Sequence, residues 1–323
     1  MLRYLVRRTL FMILVLWIVS VLTFVIFFKL PVRDPAQQIA GKGATAEVIA
    51  NVRHQLGLDQ PLLEQYRRFA KGLIPLPGFW LNEQVYYNWT NRVAVWEEMR
   101  RDFPYTAVLT FGAAVLWLAI GIPLGIISAI RRGSVWDRAG MVFALIGVSA
   151  PTFWLGFLFL WVFHYGLEMF PGSGIPPQES LWGSVLQGRF FLPWLTLAIT
   201  SAAFYTRMVR GNLLETMSED YIRTARAKGL SERAVTYRHG LRAALTPVVT
   251  MFGLDVGILL GGAVITETVF NIPGIGSYAI RSIFQFNFPG TMGVTVFAAF
   301  FIVVANLVVD VLYAYLDPRV RYE

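Results

Sequence analysis

The stretch Tyr105–Ile130, YTAVLTFGAAVLWLAIGIPLGIISAI, contains no Asp, Glu, Lys or Arg residue. At a rise of about 1.5 Å per residue, a helix of about 20 such residues crosses the roughly 30 Å hydrocarbon core of a bilayer. The whole chain has a similar character, because 56% of its 323 residues are hydrophobic and only 15% are charged. This composition is too apolar for an ordinary soluble domain and is typical of a membrane protein.

Five segments outside this stretch are also long and apolar enough to cross a bilayer. The six predicted spans are Thr9–Phe28, Tyr105–Ile130, Ala139–Leu167, Phe191–Met208, Pro247–Val269 and Thr291–Tyr315. The first segment is like a signal peptide, because Arg7 and Arg8 precede an apolar run. However, the run is too long and no small-residue cleavage site follows it. We therefore predict a retained membrane anchor. The sequence therefore predicts an all-α polytopic membrane protein with six transmembrane helices.

The distribution of Lys and Arg over the short loops predicts the orientation of the spans, because cationic residues resist translocation. The residues on one side are Arg3, Arg7 and Arg8, then Arg131, Arg132 and Arg138, then eight Lys or Arg between Arg207 and Arg242, and finally Arg319 and Arg321. The short loops on the other side contain one each, Arg189 and Arg281. We therefore expect both termini to face the cytoplasm, and the net charge of +8 is explained by topology rather than by a nucleic-acid partner.

The predicted spans divide the chain into three parts. Residues 1–29 form a cytoplasmic tail and the first span, residues 30–103 a small extracytoplasmic insertion, and residues 104–323 a five-helix core with a cytoplasmic loop at 209–246. The insertion is rich in Lys and Arg, but long loops translocate largely regardless of charge, so the predicted orientation is unaffected.

Within the insertion, TAEVIANVRHQLGLDQPLLEQYRRFAKGL contains two helical patterns separated at Gly57–Pro61. Thr45 can cap the first helix, and Pro61 suits the first turn of the second. We expect an apolar face on the second helix, formed by Leu62, Leu63, Tyr66 and Phe69. The following segment, IPLPGFWLNEQVYYNWTNRV, is predicted to form a loop or short strands, and its glycosylation sequon at Asn88 is a frequent chance match.

The chain has no cysteine and three histidines, His54, His164 and His239, at scattered positions. This pattern excludes disulfides and thiolate metal sites and gives no reason to expect a metal cluster. The nearest sequence to a phosphate-binding loop, AQQIAGKG, has Ala36 in place of the first glycine and Gly43 in place of Ser or Thr. We therefore expect no metal site, no bound cofactor and no nucleotide site in this chain.

The predicted fifth span carries Gly253, Gly257 and Gly261 at every fourth position. Small residues let membrane helices approach closely, so this stripe predicts a helix contact within the chain or with a partner subunit, unless it reflects only how common glycine is in such helices. Asp255 lies about 200° from Gly253 around the helix and points away from the stripe. An ionisable group at this depth normally faces water or a polar partner, so Asp255 either lines a translocation path or bonds to another helix.

Pro123 and Pro151 lie inside the predicted second and third spans. Each removes a backbone donor and should kink its helix or leave a local irregularity. Bent helices around a cavity suit a transporter, although many structural membrane helices contain proline too.

The basic stretch DYIRTARAKGLSERAVTYRHGLRAAL, from Asp220 to Leu245, interrupts the apolar pattern. It predicts a helix that starts at Ser218–Asp220, a left-handed cap at Gly229, and a second helix that starts at Ser231 and runs to about Ala244. One interpretation is a solvated loop that sets the topology and binds anionic lipid. The other is a docking element for a cytoplasmic subunit, since this ordered, charged element is too polar to enter the bilayer.

Several stretches along the chain, in the same order, resemble one known family. They are MLRYLVRRTL, RHQLGLDQPLLEQYRRFAKGL, GIPLGIISAI, DYIRTARAKGLSERAV, GGAVITETVFNIPGIG and NLVVDVLYAYLDPRVRY. The family is that of the inner-membrane permease subunits of bacterial ABC importers for dipeptides, oligopeptides and related solutes such as nickel complexes or glutathione. The resemblance covers nearly the whole chain and implies the type I importer permease fold in a bacterial inner membrane.

In that family the cytoplasmic loop carries the EAA motif, whose short helix fits a groove of the ATPase subunit. Gly229 matches the glycine of the motif and Ala225 its second alanine, whereas Arg223 and Thr224 stand in place of Glu and Ala. The Leu-Pro pair of the general motif is replaced here by Leu241-Arg242. The resemblance therefore implies a set of ATPase-coupling residues, namely Arg223, Thr224, Ala225, Arg226, Ala227, Gly229, Leu230 and Ser231.

The resemblance also implies the assembly around this chain. Its expected partners are a homologous second permease subunit, two ATPase subunits that use ATP and Mg, and an extracytoplasmic solute-binding protein. The chain itself would be non-catalytic and would form half of the pore for short peptides or related small solutes. Which solute is transported stays open between dipeptide, oligopeptide, glutathione and nickel complex.

Two functions from other classes compete with this interpretation. An ion-coupled secondary transporter would explain Asp255 and the kinked helices, but it predicts transport without an ATPase and usually internal repeats, which the sequence does not show. A membrane-embedded enzyme would need a catalytic set in the spans, and no Ser-His-Asp, His-Glu-x-x-His or paired-carboxylate arrangement is present there.

Overall fold

The computed structural model describes residues 2–29, 34–41, 43–55, 57–71 and 93–316. Within these ranges the regular secondary structure is helical. The predicted loop IPLPGFWLNEQVYYNWTNRV with Asn88 lies outside the described residues except for its last residue, and so do the basic residues Arg319 and Arg321.

The helices follow one another through short connections. In chain order they are α1 (Leu2–Phe24), α2 (Pro35–Ala40), α3 (Ala46–Gln55), α4 (Leu62–Lys71), α5 (Val95–Ile130), α6 (Val135–Ser149), α7 (Thr152–Phe159), α8 (Leu181–Leu186), α9 (Phe191–Thr216), α10 (Asp220–Ala227), α11 (Glu232–Ala234), α12 (Leu241–Ala244), α13 (Thr246–Leu260), α14 (Val264–Val269), α15 (Ile275–Phe284) and α16 (Phe288–Leu316). Wider π-helical turns continue α1 over Val25–Lys29, α7 over Leu160–Gly166 and α11 over Val235–Gly240.

Three of the described helices are long and apolar enough to cross a membrane, over Val6–Phe27, Val95–Ile130 and Phe288–Leu312. Two bent helix pairs raise the number to five if each pair is one span. Helix α9 occupies the predicted fourth span but is not among these candidates, and it carries Arg207 and Arg210 in its second half. The protein is thus a helical, multi-pass membrane protein, and the count of six spans stays a prediction.

The predicted third span, Ala139–Leu167, is not one continuous helix, and its break lies at Pro151, where the sequence predicts a kink or local irregularity. Helix α6 ends at Ser149, and the following helix leaves at an angle of 104°. The cause is Pro151, because a proline disfavours the helical conformation of the residue before it. Ala150 accordingly has extended backbone angles, with φ −77° and ψ 124°.

The predicted fifth span, Pro247–Val269, is also wrong as one helix. Helix α13 ends at Leu260, and α14 starts only at Val264. Gly262 between them has φ +128°, a conformation that glycine tolerates and other residues rarely adopt. A Cβ atom at Gly262 would lie 2.7 Å from the Gly276 backbone nitrogen, so the chain turns there to pack α15 against the break.

The core of the molecule is the contact between α5 and α9. A Cβ atom at Gly121 would lie 3.0 Å from the Ala202 carbonyl oxygen, and one at Gly125 would lie 2.8 Å from the Thr206 carbonyl oxygen. The two backbones therefore approach closely, as small residues allow in membrane helices. Trp117 on α5 and Tyr205 on α9 are fully buried beside this contact.

The insertion helix α4 packs against the end of α1, and its buried face differs from the predicted one. Phe69 is fully buried with its ring 5.6 Å from that of Phe24, but Leu63 is 78% exposed. Gln65, which is not part of the predicted apolar face, is buried instead. Its side-chain amide donates to the carbonyl oxygens of Leu58 and Gln60 and closes the turn before the helix. An apolar pattern alone did not reveal this hydrogen-bonded turn.

The predicted end of the insertion at residue 103 also falls inside a helix. Helix α5 begins at Val95, so its first turns belong to the same continuous helix as the predicted second span. Val95 and Met99 are fully buried, which shows that this part of α5 is packed against the rest of the molecule rather than exposed in a loop.

Candidate functional site

The basic loop at 209–246 folds as a helix, a glycine turn and a second helical segment. Helix α10 ends at Ala227, and Gly229 follows with φ +79°. The Ser231 hydroxyl accepts a hydrogen bond from the Ala234 nitrogen at 3.4 Å and so caps the second segment. The first helix starts after Glu219, rather than at Ser218, whose hydroxyl donates backwards to the Glu215 carbonyl oxygen at 2.6 Å.

Apolar side chains inside the loop hold the two helical segments together. Ile222, Ala225 and Val235 are buried and pack against one another, with Met217 at the edge of the cluster. The Asn212 amide donates to the Ala244 carbonyl oxygen at 3.2 Å and ties the second segment to α9. The loop is therefore an ordered element that is fixed to the end of α9.

Seven of the eight predicted coupling residues, which lie in and around the turn, are exposed. They are Arg223, Thr224, Arg226, Ala227, Gly229, Leu230 and Ser231. Ala225 differs from them, because it is only 7% exposed and faces the inner cluster. Its small side chain supports the packing of the loop and does not form part of the outer surface.

Two ion pairs lie on the exposed surface of the loop. Arg226 contacts both oxygens of Glu232 across the glycine turn, at 2.8 and 3.3 Å. Arg223 contacts Asp220 within α10 at 3.2 Å. Exposed pairs of this kind contribute only about 0 to 1 kcal/mol, so both arginines remain able to exchange their partner for an external one.

The base of the loop is held by an ion pair that sequence reasoning missed. Asp137, in the first turn of α6, accepts from Arg210 Nε at 2.6 Å and from Arg210 Nη2 at 2.9 Å. It also accepts from the Gly133 nitrogen at 2.8 Å. The two side chains are 7% and 23% exposed, so the pair is partly shielded from water. The sequence shows an acidic residue in the turn after Ser134, but it does not identify the partner of that residue on α9.

The glycine stripe of α13 lies against α16 of the same chain. A Cβ atom at Gly261 would lie 2.8 Å from the Ala298 Cβ atom, and Cβ atoms at Gly253 and Gly257 would overlap Val309 and Ala305. The glycine stripe therefore forms a helix contact within the chain, which is one of the two contacts predicted for it.

Asp255 has a polar partner on another helix. The Tyr205 hydroxyl on α9 donates to its Oδ2 atom at 2.7 Å. Asp255 is half-buried and Tyr205 is fully buried. Of its two predicted roles, the bond to another helix is present in the structure, and the role in a translocation path stays a prediction.

A second buried carboxylate, Glu267 on α14, was not singled out from the sequence. Its Oε1 atom accepts from the Thr106 hydroxyl at 2.8 Å and the Ala263 nitrogen at 3.2 Å, and its Oε2 atom accepts from the Ser277 nitrogen at 2.8 Å. The Thr106 hydroxyl in turn accepts from the Ile275 nitrogen at 2.8 Å. Glu267 thus joins α5, α14 and the start of α15, and the only sequence signal was its place in the stretch GGAVITETVFNIPGIG.

The histidines and acids of the described residues do not gather into a metal site. No group of three or more His, Asp or Glu suited to a metal ion is present in the described ranges. His54 contacts Asp59 at 2.6 Å, and His164 Nδ1 lies 2.9 Å from the Phe170 carbonyl oxygen. Each of these two rings therefore has a local partner.

Comparison with known proteins connects this geometry to a family. Residues 121–322 match the family described as binding-protein-dependent transport system inner membrane component, and residues 1–110 match the N-terminal family of the same membrane components. The probable D,D-dipeptide transport system permease protein DdpB of Escherichia coli (strain K12) is 40% identical over 322 residues, which cover 94% of this chain and 92% of that protein. The glutathione transport system permease protein GsiC of the same strain is 40% identical over 323 residues, which cover 100% of both chains.

A solved structure supports the same fold. A chain of the MetNI methionine ABC transporter, in an inward-facing conformation, superposes with a TM-score of 0.54 at 18% identity. The match covers 69% of this chain and 97% of that one. Since one family covers residues 121–322 and relatives are 40% identical along the whole chain, this protein belongs to the binding-protein-dependent transport system inner membrane components, the pore-forming permease subunits of ATP-driven ABC importers.

Proposed function

We propose that the chain forms half of the translocation pore of an importer for short peptides or closely related small solutes. Its partners in this proposal are a homologous second permease subunit, two ATPase subunits and an extracytoplasmic solute-binding protein. The solute class is supported by the names of two relatives, a D,D-dipeptide permease and a glutathione permease, each 40% identical to this chain.

The proposed topology has six spans, with both termini in the bacterial cytoplasm and the insertion outside. It is supported by the cationic residues of the short loops, since Arg131, Arg132 and the basic loop at 209–246 lie on one side of the predicted spans. Helix α9, the predicted fourth span, is the one that must be added to the five candidates, and it is 26 residues long and therefore long enough to cross.

The observation that carries the proposal is the ordered, exposed loop at 209–246. Its α10 helix and glycine turn present Arg223, Arg226 and Leu230 outward, while the buried side of the loop is anchored to α9. A surface that is rigid within the chain and open to the cytoplasm suits close contact with an ATPase subunit. ATP and Mg are used by that subunit, and this chain carries out no catalysis.

The contacts of α9 support a mechanical path from this loop towards the proposed pore. Helix α9 extends from the loop into the close glycine contact with α5, and Asp137 links it to α6. A displacement of the loop by the ATPase would therefore move α9, α5 and α6 together. Such rigid-body movement is one way to alternate between inward-open and outward-open states.

Reconstitution tests the proposal directly. The complex of this chain with its co-expressed subunits is placed in vesicles, and uptake of a labelled dipeptide and of glutathione is measured with the binding protein present. We expect uptake that requires ATP and the binding protein and that continues without an ion gradient. Uptake by this chain alone, driven by a proton or sodium gradient, would support the secondary transporter instead.

A further inference from the structure

The turn between α5 and α6 and the start of α6 carry three exposed arginines, Arg131, Arg132 and Arg138. Helix α5 is long and apolar enough to cross a bilayer and ends at Ile130, which places this turn at a membrane surface. Within the described part of the chain, none of the three arginines forms an ion pair. They are also separate from the predicted coupling residues of the basic loop at 209–246.

The acid that lies beside these arginines is already bonded. Residues 131–138 contain one acidic residue, Asp137, which accepts from Arg210 Nε and Nη2 at 2.6 and 2.9 Å and from the Gly133 nitrogen at 2.8 Å. Arg132 acts on Asp137 only at longer range. Since Arg210 compensates the charge of Asp137, the three exposed arginines leave this surface with positive charge that its own acid does not neutralise.

Exposed apolar side chains continue from the turn along one face of α6. Val135, Val142 and Ile146 are each more than half exposed, and their spacing of seven and four residues places them on the same side of the helix. The opposite side carries the small residues Gly140 and Gly147, which are buried against α5 and α9. Large apolar groups therefore face outward and small ones face inward, which suits contact of the outer face with acyl chains.

An exposed tryptophan adjoins the arginines. Trp136 is 61% exposed, and the Arg131 guanidinium carbon lies 5.9 Å from the centre of its ring, within the range of a cation–π interaction. Tryptophan is enriched at the level of lipid headgroups, where one end of the ring meets an apolar medium and the other meets water. The surface therefore combines apolar side chains, an amphipathic ring and guanidinium groups, which match the acyl chains, the interface and the phosphate of a phospholipid.

The charge of this surface favours an anionic lipid over a zwitterionic one. Guanidinium groups donate paired hydrogen bonds to phosphate oxygens. The choline or ammonium group of a zwitterionic headgroup would be repelled by the three arginines, whereas phosphatidylglycerol has a phosphate without such a cation. Attraction of anionic lipid to clustered arginines at a membrane surface is also the general expectation.

We propose that this surface binds an anionic phospholipid, with the phosphate among Arg131, Arg132 and Arg138 and an acyl chain along the exposed face of α6. The lipid surface, as we call residues 131–146, goes beyond the proposed function. It requires only that α5 crosses the membrane, and it holds for either orientation of the chain.

The test measures which lipid lies next to α6. Because the chain has no cysteine, Ala139→Cys introduces a single labelling position at an exposed residue beside Arg138. The complex with co-expressed permease and ATPase subunits is labelled there with the fluorophore NBD, and the complex without the substitution gives the background. It is placed in vesicles of phosphatidylglycerol and phosphatidylcholine in equal amounts, in which only one of the two lipids carries a nitroxide quencher on its acyl chain.

The surface charge of the vesicles is the same in both cases, so a difference in quenching reports local enrichment of one lipid. We expect nitroxide phosphatidylglycerol to quench at least about threefold more strongly than nitroxide phosphatidylcholine, because the three arginines attract the anionic lipid.

Charge variants locate the site. Arg131→Gln combined with Arg132→Gln should bring the quenching ratio close to one, whereas Arg131→Lys combined with Arg132→Lys keeps the charge and should retain most of the difference. The matched control is Arg233→Gln combined with Arg238→Gln, which removes two exposed arginines of the basic loop and should leave the ratio unchanged. The melting temperature checks folding and should be unchanged in the glutamine variant at Arg131 and Arg132, since no ion pair within the described residues is lost.

Three results would overturn the proposal. They are equal quenching by the two nitroxide lipids, no quenching by either lipid, and loss of the ATPase from the glutamine variant at Arg131 and Arg132. The second would show that a partner subunit covers this face, and the third would assign the arginines to the ATPase. Equal quenching with intact ATP-driven uptake contradicts only the lipid surface, whereas enrichment of phosphatidylglycerol without ATP-driven uptake contradicts only the importer.

Discussion

The hydrogen bond between Tyr205 and Asp255 joins α9 to α13 inside the helical core. We expect Tyr205→Phe to lower the free energy of unfolding by about 1 to 3 kcal/mol, because it removes the donor to a half-buried carboxyl group. Thermal unfolding of the purified protein measures this loss, and Tyr237→Phe, at an exposed tyrosine, is the control that should change nothing. Unchanged stability of Tyr205→Phe combined with altered uptake would place Asp255 in the translocation path instead.

For single residues, the sequence predicts which face of a helix a side chain lies on better than it predicts which residue that side chain contacts. The 200° offset of Asp255 from Gly253 follows from helix geometry alone, and Gly253 does contact α16 while Asp255 contacts α9. The identity of Tyr205 as the partner depends on how two helices 50 residues apart in the chain are packed. The same limit explains why Glu267 was overlooked, since its donors come from α5 and α15.

Among the elements, the basic loop at 209–246, called the coupling loop after its predicted role, gives the sharpest test. Gly229 has φ +79°, and within the described part of the chain no group beyond its neighbours comes within 4 Å of the position that a Cβ atom would occupy. A substitution there therefore strains the backbone by about 1 kcal/mol without a clash inside the chain. We expect Gly229→Asp to leave the chain inserted and folded but to detach or uncouple the ATPase, because its bulk and charge lie on the exposed surface. Co-purification of the ATPase and ATP-driven uptake measure the effect.

The turn between α5 and α6 supplies a matched control for this variant. Gly133 has φ +78° and equally open surroundings, so Gly133→Asp carries the same backbone strain and the same added charge in another loop. We expect it to keep ATPase retention, which is the comparison that matters here, since its added charge lies beside Asp137 and uptake is therefore not a neutral readout for it. Normal retention and uptake in Gly229→Asp would reduce the loop at 209–246 to a topology-setting segment.

The corner formed by α14 and α15 depends on Glu267. We expect Thr106→Val to lower the free energy of unfolding by about 2 to 5 kcal/mol, since it removes the donor to Glu267 and leaves the buried Ile275 nitrogen without its acceptor. Thr106→Ser keeps the hydroxyl and should cost much less. Denaturation of the two variants in detergent compares them, and equal losses would show that packing of the Thr106 methyl group, rather than this network, holds the corner.

The breaks between α6 and α7 and between α13 and α14 are positions where hydropathy does not predict the end of a helix. Apolar character continues through Ala150–Pro151 and through Gly261–Gly262, so both segments were predicted as single spans. Proline and a glycine with positive φ end the helices there, and hydropathy does not distinguish a kink from a bend of 104°. The glycine turn of the coupling loop was predictable because Gly229 suits the end of one helix and Ser231 suits the start of the next.

For the whole molecule, composition and charge distribution were enough to predict a multi-pass helical membrane protein, and family resemblance was needed for its role. The path that connects the coupling loop to the core was not predictable, because it depends on Asp137 meeting Arg210, which is 73 residues away in the chain. This pair joins the first turn of α6 to the second half of α9. If force from an ATPase passes through α9, the pair transmits it to α6.

A double-mutant cycle on this pair tests that path. We expect Asp137→Asn and Arg210→Gln each to lower the free energy of unfolding by about 1.5 to 3 kcal/mol, because each breaks a charge-assisted, partly shielded pair, and the double variant to lose less than the sum. The exposed pair of Asp220 and Arg223 is the control, and Asp220→Asn should change stability by no more than about 1 kcal/mol.

The same variants should also change transport. ATPase retention should stay normal in the Asp137 and Arg210 variants while uptake per ATP hydrolysed falls, since the loop surface is intact but its attachment to α6 is not. Additive losses, or an unchanged ratio of uptake to hydrolysis, would show that α9 moves without this link and that the force reaches the pore through its contact with α5 alone.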